Sequence, residues 1–175
     1  MRYETSKSAI LAIKEPKREI RLISLKDAKI VCAVVYLQDE KDVKNITTLD
    51  KYASTYGYEL HMLIIPKEKV LIPSCCMREN FILFNNGVDF NSKEIINTDT
   101  VDAFTRIKAD IFFNLAYDFV PVVEAISARS LAHLKVSKSR SGYHGGDINV
   151  KVTFRPKVSL ADTFINNLDI LTKNQ

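Results

Sequence analysis

The chain has 175 residues, 46% hydrophobic and 26% charged, with a net charge of +4, a composition that suits one globular domain and excludes disorder and collagen-like repeats. The charge is uneven: residues 1–30 hold eight Lys/Arg against four Asp/Glu, and 135–157 hold six against Asp147 alone. With 5 glycines, the chain has little material for the glycine-rich loops that wrap phosphates.

In chain order, 1–25 reads as a basic amino-terminal arm interrupted by Pro16, and 26–175 as a single α/β domain. Residues 29–37 are β-branched and almost continuously apolar, the pattern of a strand covered on both faces. Asp39 then caps a helix whose first turn carries Glu40 and Asp42, as the helix dipole favours. Its apolar stripe is Val43, Ile46, Leu49, Tyr52, Ala53 and Tyr56, and Gly57 supplies the left-handed stop. A second strand is expected over 58–65 up to Pro66, a loop over 67–80, and a third strand over 81–84 before the Asn85-Asn86-Gly87 turn.

Val101, Phe104 and Ile107 have helical spacing and lead to the most informative stretch, 108–136. There a buried strand (110–115), a helix with Pro121 in its first turn and a further strand (132–136) make a βαβ unit. Asp118 is expected to cap that helix. Residues 137–147 read as a polar loop, 148–154 as an alternating edge strand, and Ser159 with Asp162 as the capping box of a closing helix whose Leu160, Phe164, Leu168 and Leu171 face inward. Alternating strands and helices predict a three-layer, open, mostly parallel sheet, Rossmann-like or flavodoxin-like, with right-handed crossovers.

Three cysteines cannot make a disulfide framework, and adjacent Cys75 and Cys76 lack the spacing of redox or zinc sites, so neither disulfides nor a metal are expected. No stretch reaches the roughly 18 apolar residues of a membrane span, and a cytoplasmic, uncleaved chain is expected.

The stretches 25–30, 108–115 and 127–136 resemble a family of small bacterial α/β proteins of unknown function, a likeness covering roughly residues 20–171. The strand of Asp-hydrophobic type, followed by a helix and a basic strand, is also similar to the amino-terminal domain of heptosyltransferase-like glycosyltransferases. Both resemblances imply a three-layer α/β fold, and the second implies nucleotide-sugar chemistry.

In an open α/β sheet, ligands bind beyond the carboxyl ends of the strands near the point where strand order reverses, which directs attention to 38–41, 116–118 and 137–146. Neither dinucleotide nor P-loop glycine motifs occur, so no cofactor is expected. The best anion-binding candidate is the 137–146 loop, through Ser137, Lys138, Ser139, Arg140, Ser141 and His144, beside the plainer reading of a polar surface connection. Asp110, Asn114 and Asp118 are a weak carboxylate set, and His61 and His133 lie within strands, where core roles are commoner than ligation.

No catalytic residue is assigned. Missing catalytic motifs favour a non-enzymatic binding or interaction module; the alternative is a nucleotide-sugar or phosphometabolite-binding enzyme of glycosyltransferase-like ancestry. The partners left open are a protein or a small phosphorylated ligand. Solvated basic faces are commoner than nucleic-acid sites, and a third idea is anionic-surface binding through Lys14, Lys17, Arg18 and Arg21.

Overall fold

The computed structural model describes residues 13–84, 98–141, 145–153 and 155–173. Six strands, β1 (Ile30–Leu37), β2 (Glu59–Pro66), β3 (Phe81–Leu83), β4 (Ile111–Asn114), β5 (Leu134–Lys138) and β6 (Ile148–Val150), form one sheet in the order β3-β2-β1-β4-β5-β6. Every neighbouring pair is parallel, so the sheet is all-parallel and has the Rossmann strand order instead of the flavodoxin one. Among the described residues four α-helices accompany it, α1 (Glu40–Tyr56), α2 (Asp99–Thr105), α3 (Pro121–Arg129) and α4 (Leu160–Thr172), with a short 3-10 turn at Ser74–Cys76 in the loop after β2.

The layers follow from the pleat of β1. Val31, Ala33 and Val35 point into one core with Ile46 and Leu49 of α1 and Phe164, Ile165 and Leu168 of α4. Cys32 and Val34 point into the other, with Val101 and Phe104 of α2 and Val122, Val123 and Ile126 of α3. A strand covered on both faces must be apolar at every position, which explains its unbroken hydrophobic run. Phe113 stacks on Phe164 across one core, and Phe104 meets Phe112 edge-on across the other.

The ends of α1 and α4 form as their sequences dictate. Asp39 accepts from Lys41 N and shares a capping box with Asp42, and Gly57 at φ +79° closes α1. Ser159 and Asp162 make the box at α4. Other expectations need correction. Leu171 is exposed although it shares a face with Leu160 and Phe164: it stands in the last turn of α4, past Leu168, the last buried residue of the stripe. The residue capping α3 is Val120, with no side-chain cap, so Asp118 does not cap it. β5 starts at Leu134 instead of 132, since Leu131 N and His133 N bond the carbonyls of Thr105 and Ala109 and hold that segment as a connection. Phe154, expected to end the edge strand, lies outside the described residues, and β6 stops at Val150.

Of the arm, Leu25 is fully buried in the first core, and Arg21 N donates to His133 O. Arg18 reaches both oxygens of Asp147, at 2.8 and 2.5 Å, and its side chain is 6% exposed.

Candidate functional site

The sequence of strands runs outward in opposite directions from β1 and β4, which makes the gap beyond their carboxyl ends the switch point of the sheet. Two hollows open there. The first, of about 240 Å³, is lined by the cations Lys41, Lys44, Lys138 and Arg155, with Tyr117 and Ser159 also in its wall. No Asp or Glu is among its described lining residues.

The four cations arrive from three parts of the chain. Lys41 and Lys44 sit one turn apart at the start of α1, Lys138 ends β5, and Arg155 lies on the stretch leading into α4. Lys138 Nζ donates to Tyr117 O at 2.8 Å, and Lys44 Nζ donates to Lys157 O. Lys41 pairs with Asp39 at 3.6 Å and stands 5.6 Å from the centre of the Tyr117 ring. Carbonyl partners carry no formal charge, so Lys44 and Lys138 keep their positive potential in the hollow.

The amino terminus of α4 is already occupied. Leu160 N donates to Tyr117 Oη, Ala161 N to Asn45 Oδ1, and Asp162 N to Ser159 Oγ. An anion in this hollow would therefore be held by side-chain cations, with helix amides contributing nothing direct. Burial pushes the Tyr117 phenol above its ordinary range, against the hydrogen bonds from Leu160 and Asn45, so at neutral pH it is a neutral hydroxyl.

The second hollow, about 440 Å³, is lined by Tyr36, Gln38, Lys67, Asp118, Phe119, Val120 and Pro121. Lys67 is set beside the end of β1 because its N–H donates to Leu37 O at 2.8 Å. Consecutive residues divide the two spaces: Tyr117 faces the first and Asp118 the second.

That dividing loop is held by a clasp from the β5–β6 connection. Arg140 Nη2 donates to Ala116 O at 2.6 Å and Asp118 O at 2.9 Å, while Lys138 takes the carbonyl between them. Arg140 also pairs at 3.2 Å with Glu124, a fully buried residue of α3 that accepts a hydrogen bond from Asn114. Among the residues expected to bind an anion, Lys138 lines the first hollow and Arg140 grips backbone. Ser137 is buried in β5, donating to Asn149 Oδ1; Ser139 N donates to Val150 O; Ser141 is exposed; and His144 lies outside the described residues. Lys41, Tyr117 and Asp118 fall within the segments singled out from sequence; Lys44, Lys67 and Arg155 do not. The basic excess over 135–157 was their one available signal, and only for Arg155.

Asp110 and Asp118 lie beyond opposite ends of β4, so no carboxylate pair forms. Asp110 instead accepts from Lys29 N and Ile30 N and ties the start of β1. His61 pairs with Glu59, and His133 Nδ1 meets Glu19 O. The three cysteines are free; burial pushes Cys32 and Cys76 up to about 12, which leaves both thiols protonated. Among the described residues no cluster of His, Cys, Asp or Glu suits a metal, and no helix is long and apolar enough to cross a membrane.

No family model matches the chain, and no curated protein matches it either. Its fold is similar to that in the crystal structure of the glycosyl transferase family 9 from Veillonella parvula DSM 2008, with a TM-score of 0.54 and 19% identity. The match covers 86% of this chain and 43% of that one, so this chain spans less than half that protein's length. At this identity the likeness is one of fold.

Proposed function

We propose that the protein is a binding domain for a small phosphorylated ligand, whose phosphate sits in the hollow formed by Lys41, Lys44, Lys138 and Arg155. The observation that carries this reading is four cations converging on one space with no carboxylate in its described lining. The place supports it as well, because the hollow lies at the carboxyl edge of a Rossmann-ordered sheet. So does its size, which falls below the range of about 300 to 1,000 Å³ typical of sites for whole drug-sized ligands and suits a head group. The three free cysteines are in keeping with a reducing, cytoplasmic setting.

Titration calorimetry with inorganic phosphate tests the reading. Binding should be measurable in low-salt buffer and should weaken at least about tenfold in the double variant Lys44→Ala, Arg155→Ala. Both residues are exposed, so their loss should leave the fold intact. Unchanged affinity in that variant removes the reading.

A second reading, an enzyme of glycosyltransferase-like ancestry acting on a nucleotide sugar, is supported by the fold likeness to the family 9 structure. Incubation with nucleotide sugars distinguishes the two: release of nucleoside diphosphate that stops in the same double variant favours the enzyme, and binding without turnover favours the module.

A further inference from the structure

Resting on the phosphate reading, we infer that the second hollow holds an uncharged, hydroxyl-rich ring of the same ligand, which makes the ligand class a sugar phosphate. The two spaces lie back to back across a single residue step, Tyr117 to Asp118. The segment leading into α1 repeats the division, with Gln38 in the second wall and Lys41 in the first. Consecutive Cα atoms stand about 3.8 Å apart, so a ligand that reaches past the 116–118 loop can have its phosphate in the first space and its body in the second.

The chemistry of the second wall differs from that of the first. Lys67 and Asp118 offset each other in charge, so the space gives no net preference to an ion. What it offers is a mixture of hydrogen-bonding roles: the Gln38 amide donates and accepts, the Asp118 carboxylate accepts only, and Lys67 donates only. Hydroxyl groups, which both donate and accept, match all three. Tyr36 and Phe119, both half-buried, bring to this wall the aromatic residue type that covers the C–H face of a sugar ring. At about 440 Å³ this hollow, unlike the first, falls within the usual range for a ligand body.

The test compares inorganic phosphate, a hexose 1-phosphate and phenyl phosphate by calorimetry on the whole protein, with Asp118→Ala and Gln38→Ala as variants. The hexose phosphate should bind at least about tenfold tighter than inorganic phosphate, and either variant should remove most of that gain without weakening the binding of inorganic phosphate. Asp118→Ala is the more telling of the two. Removing an acid strengthens the attraction for any anion, so a loss confined to the hexose phosphate reports lost hydroxyl contacts. Phosphate binding without any gain for the hexose phosphate, or an equal gain for phenyl phosphate, overturns this inference and leaves the phosphate site standing. Absence of binding by all three overturns both.

Discussion

Two buried charges set the pH dependence of stability from opposite directions. Asp42 is 2% exposed, and burial raises its carboxyl to about 6 from the ordinary 3.8, against the N–H groups of Gln38 and Asp39 that favour the anion. Between pH 4 and 6 the folded chain keeps a proton that the unfolded chain has released. Stability therefore falls as pH rises through that window, by roughly 3 kcal/mol at most. Asp42→Asn keeps a side-chain acceptor for the cap and removes the charge. Urea unfolding at pH 4 and pH 6 should show a clearly smaller difference in the variant, and an unchanged difference would mean that Asp42 titrates normally. Lys135 is the converse case. Its amine donates to Ala128 O at 3.0 Å inside the protein, and burial lowers it from 10.5 to about 8. Between pH 8 and 10.5 the unfolded chain holds the extra proton, so this group makes stability rise with pH. Below that window the buried ammonium is a standing cost, and Lys135→Met, of similar length and apolar, should stabilise the fold by about 1 to 3 kcal/mol at pH 7. A melting temperature at or below that of the unsubstituted protein would show that the bond to Ala128 and the pairing with Glu15 at 4.0 Å together outweigh the desolvation.

At the scale of elements, the dividing loop depends on the clasp more than on its own sequence. Residues 116–118 carry three carbonyls with no strand to satisfy them, and Arg140 and Lys138 occupy all three. Arg140→Ala frees two of those carbonyls and strands Glu124 in the interior, a loss of the order of 3 to 5 kcal/mol. If the stranded charge is the main cost, adding Glu124→Gln should recover a good part of it. A double variant no more stable than Arg140→Ala alone would assign the loss to the loop. The connection from β5 to β6 is equally tight. A Cβ at Gly146 would stand 2.9 Å from the Ile148 carbonyl and from Ser137 Oγ, and 3.0 Å from the Lys135 carbonyl, so Gly146→Ala should destabilise the edge strand. The caps of α1 and α4 and the stop of α1 were legible because each is a local exchange of hydrogen bonds among residues two to four apart, whereas α3 has no side-chain cap for Asp118 to supply. The clasp was not legible, because its partners are more than twenty residues apart and Arg140, read locally, is one cation in a polar loop. Ser137 misled in the same way: a serine after an apolar run reads as loop, yet here it is buried in β5 because Asn149 satisfies its hydroxyl.

At the scale of the molecule, the layered fold was readable because a parallel strand buried on both faces writes its position as an uninterrupted apolar run. The basic hollow was not, because beyond the one helical turn from 41 to 44 no periodicity connects these residues with 138 and 155; only the sheet order brings them to one edge. The sequence offered two basic regions as anion sites, the amino-terminal arm and the 137–146 loop, and the fold ranks them differently from their charge. Arg18 is committed to Asp147, and Arg21 pairs with Glu19 at 2.6 Å, so half of the arm's proposed cations already have an acid. Saturating phosphate, at about 100 times its dissociation constant, should stabilise the folded protein by about 2.7 kcal/mol, or roughly 5 to 10 °C in melting temperature for a chain of this size. At fixed phosphate the shift should shrink as sodium chloride rises from low to physiological strength, because the hollow is open to solvent and its cations are screened. Lys14→Ala with Lys17→Ala removes as many charges as Lys44→Ala with Arg155→Ala. If net charge alone held the anion, the two pairs would lower the shift equally; convergence at the sheet edge requires that the second pair lower it much more.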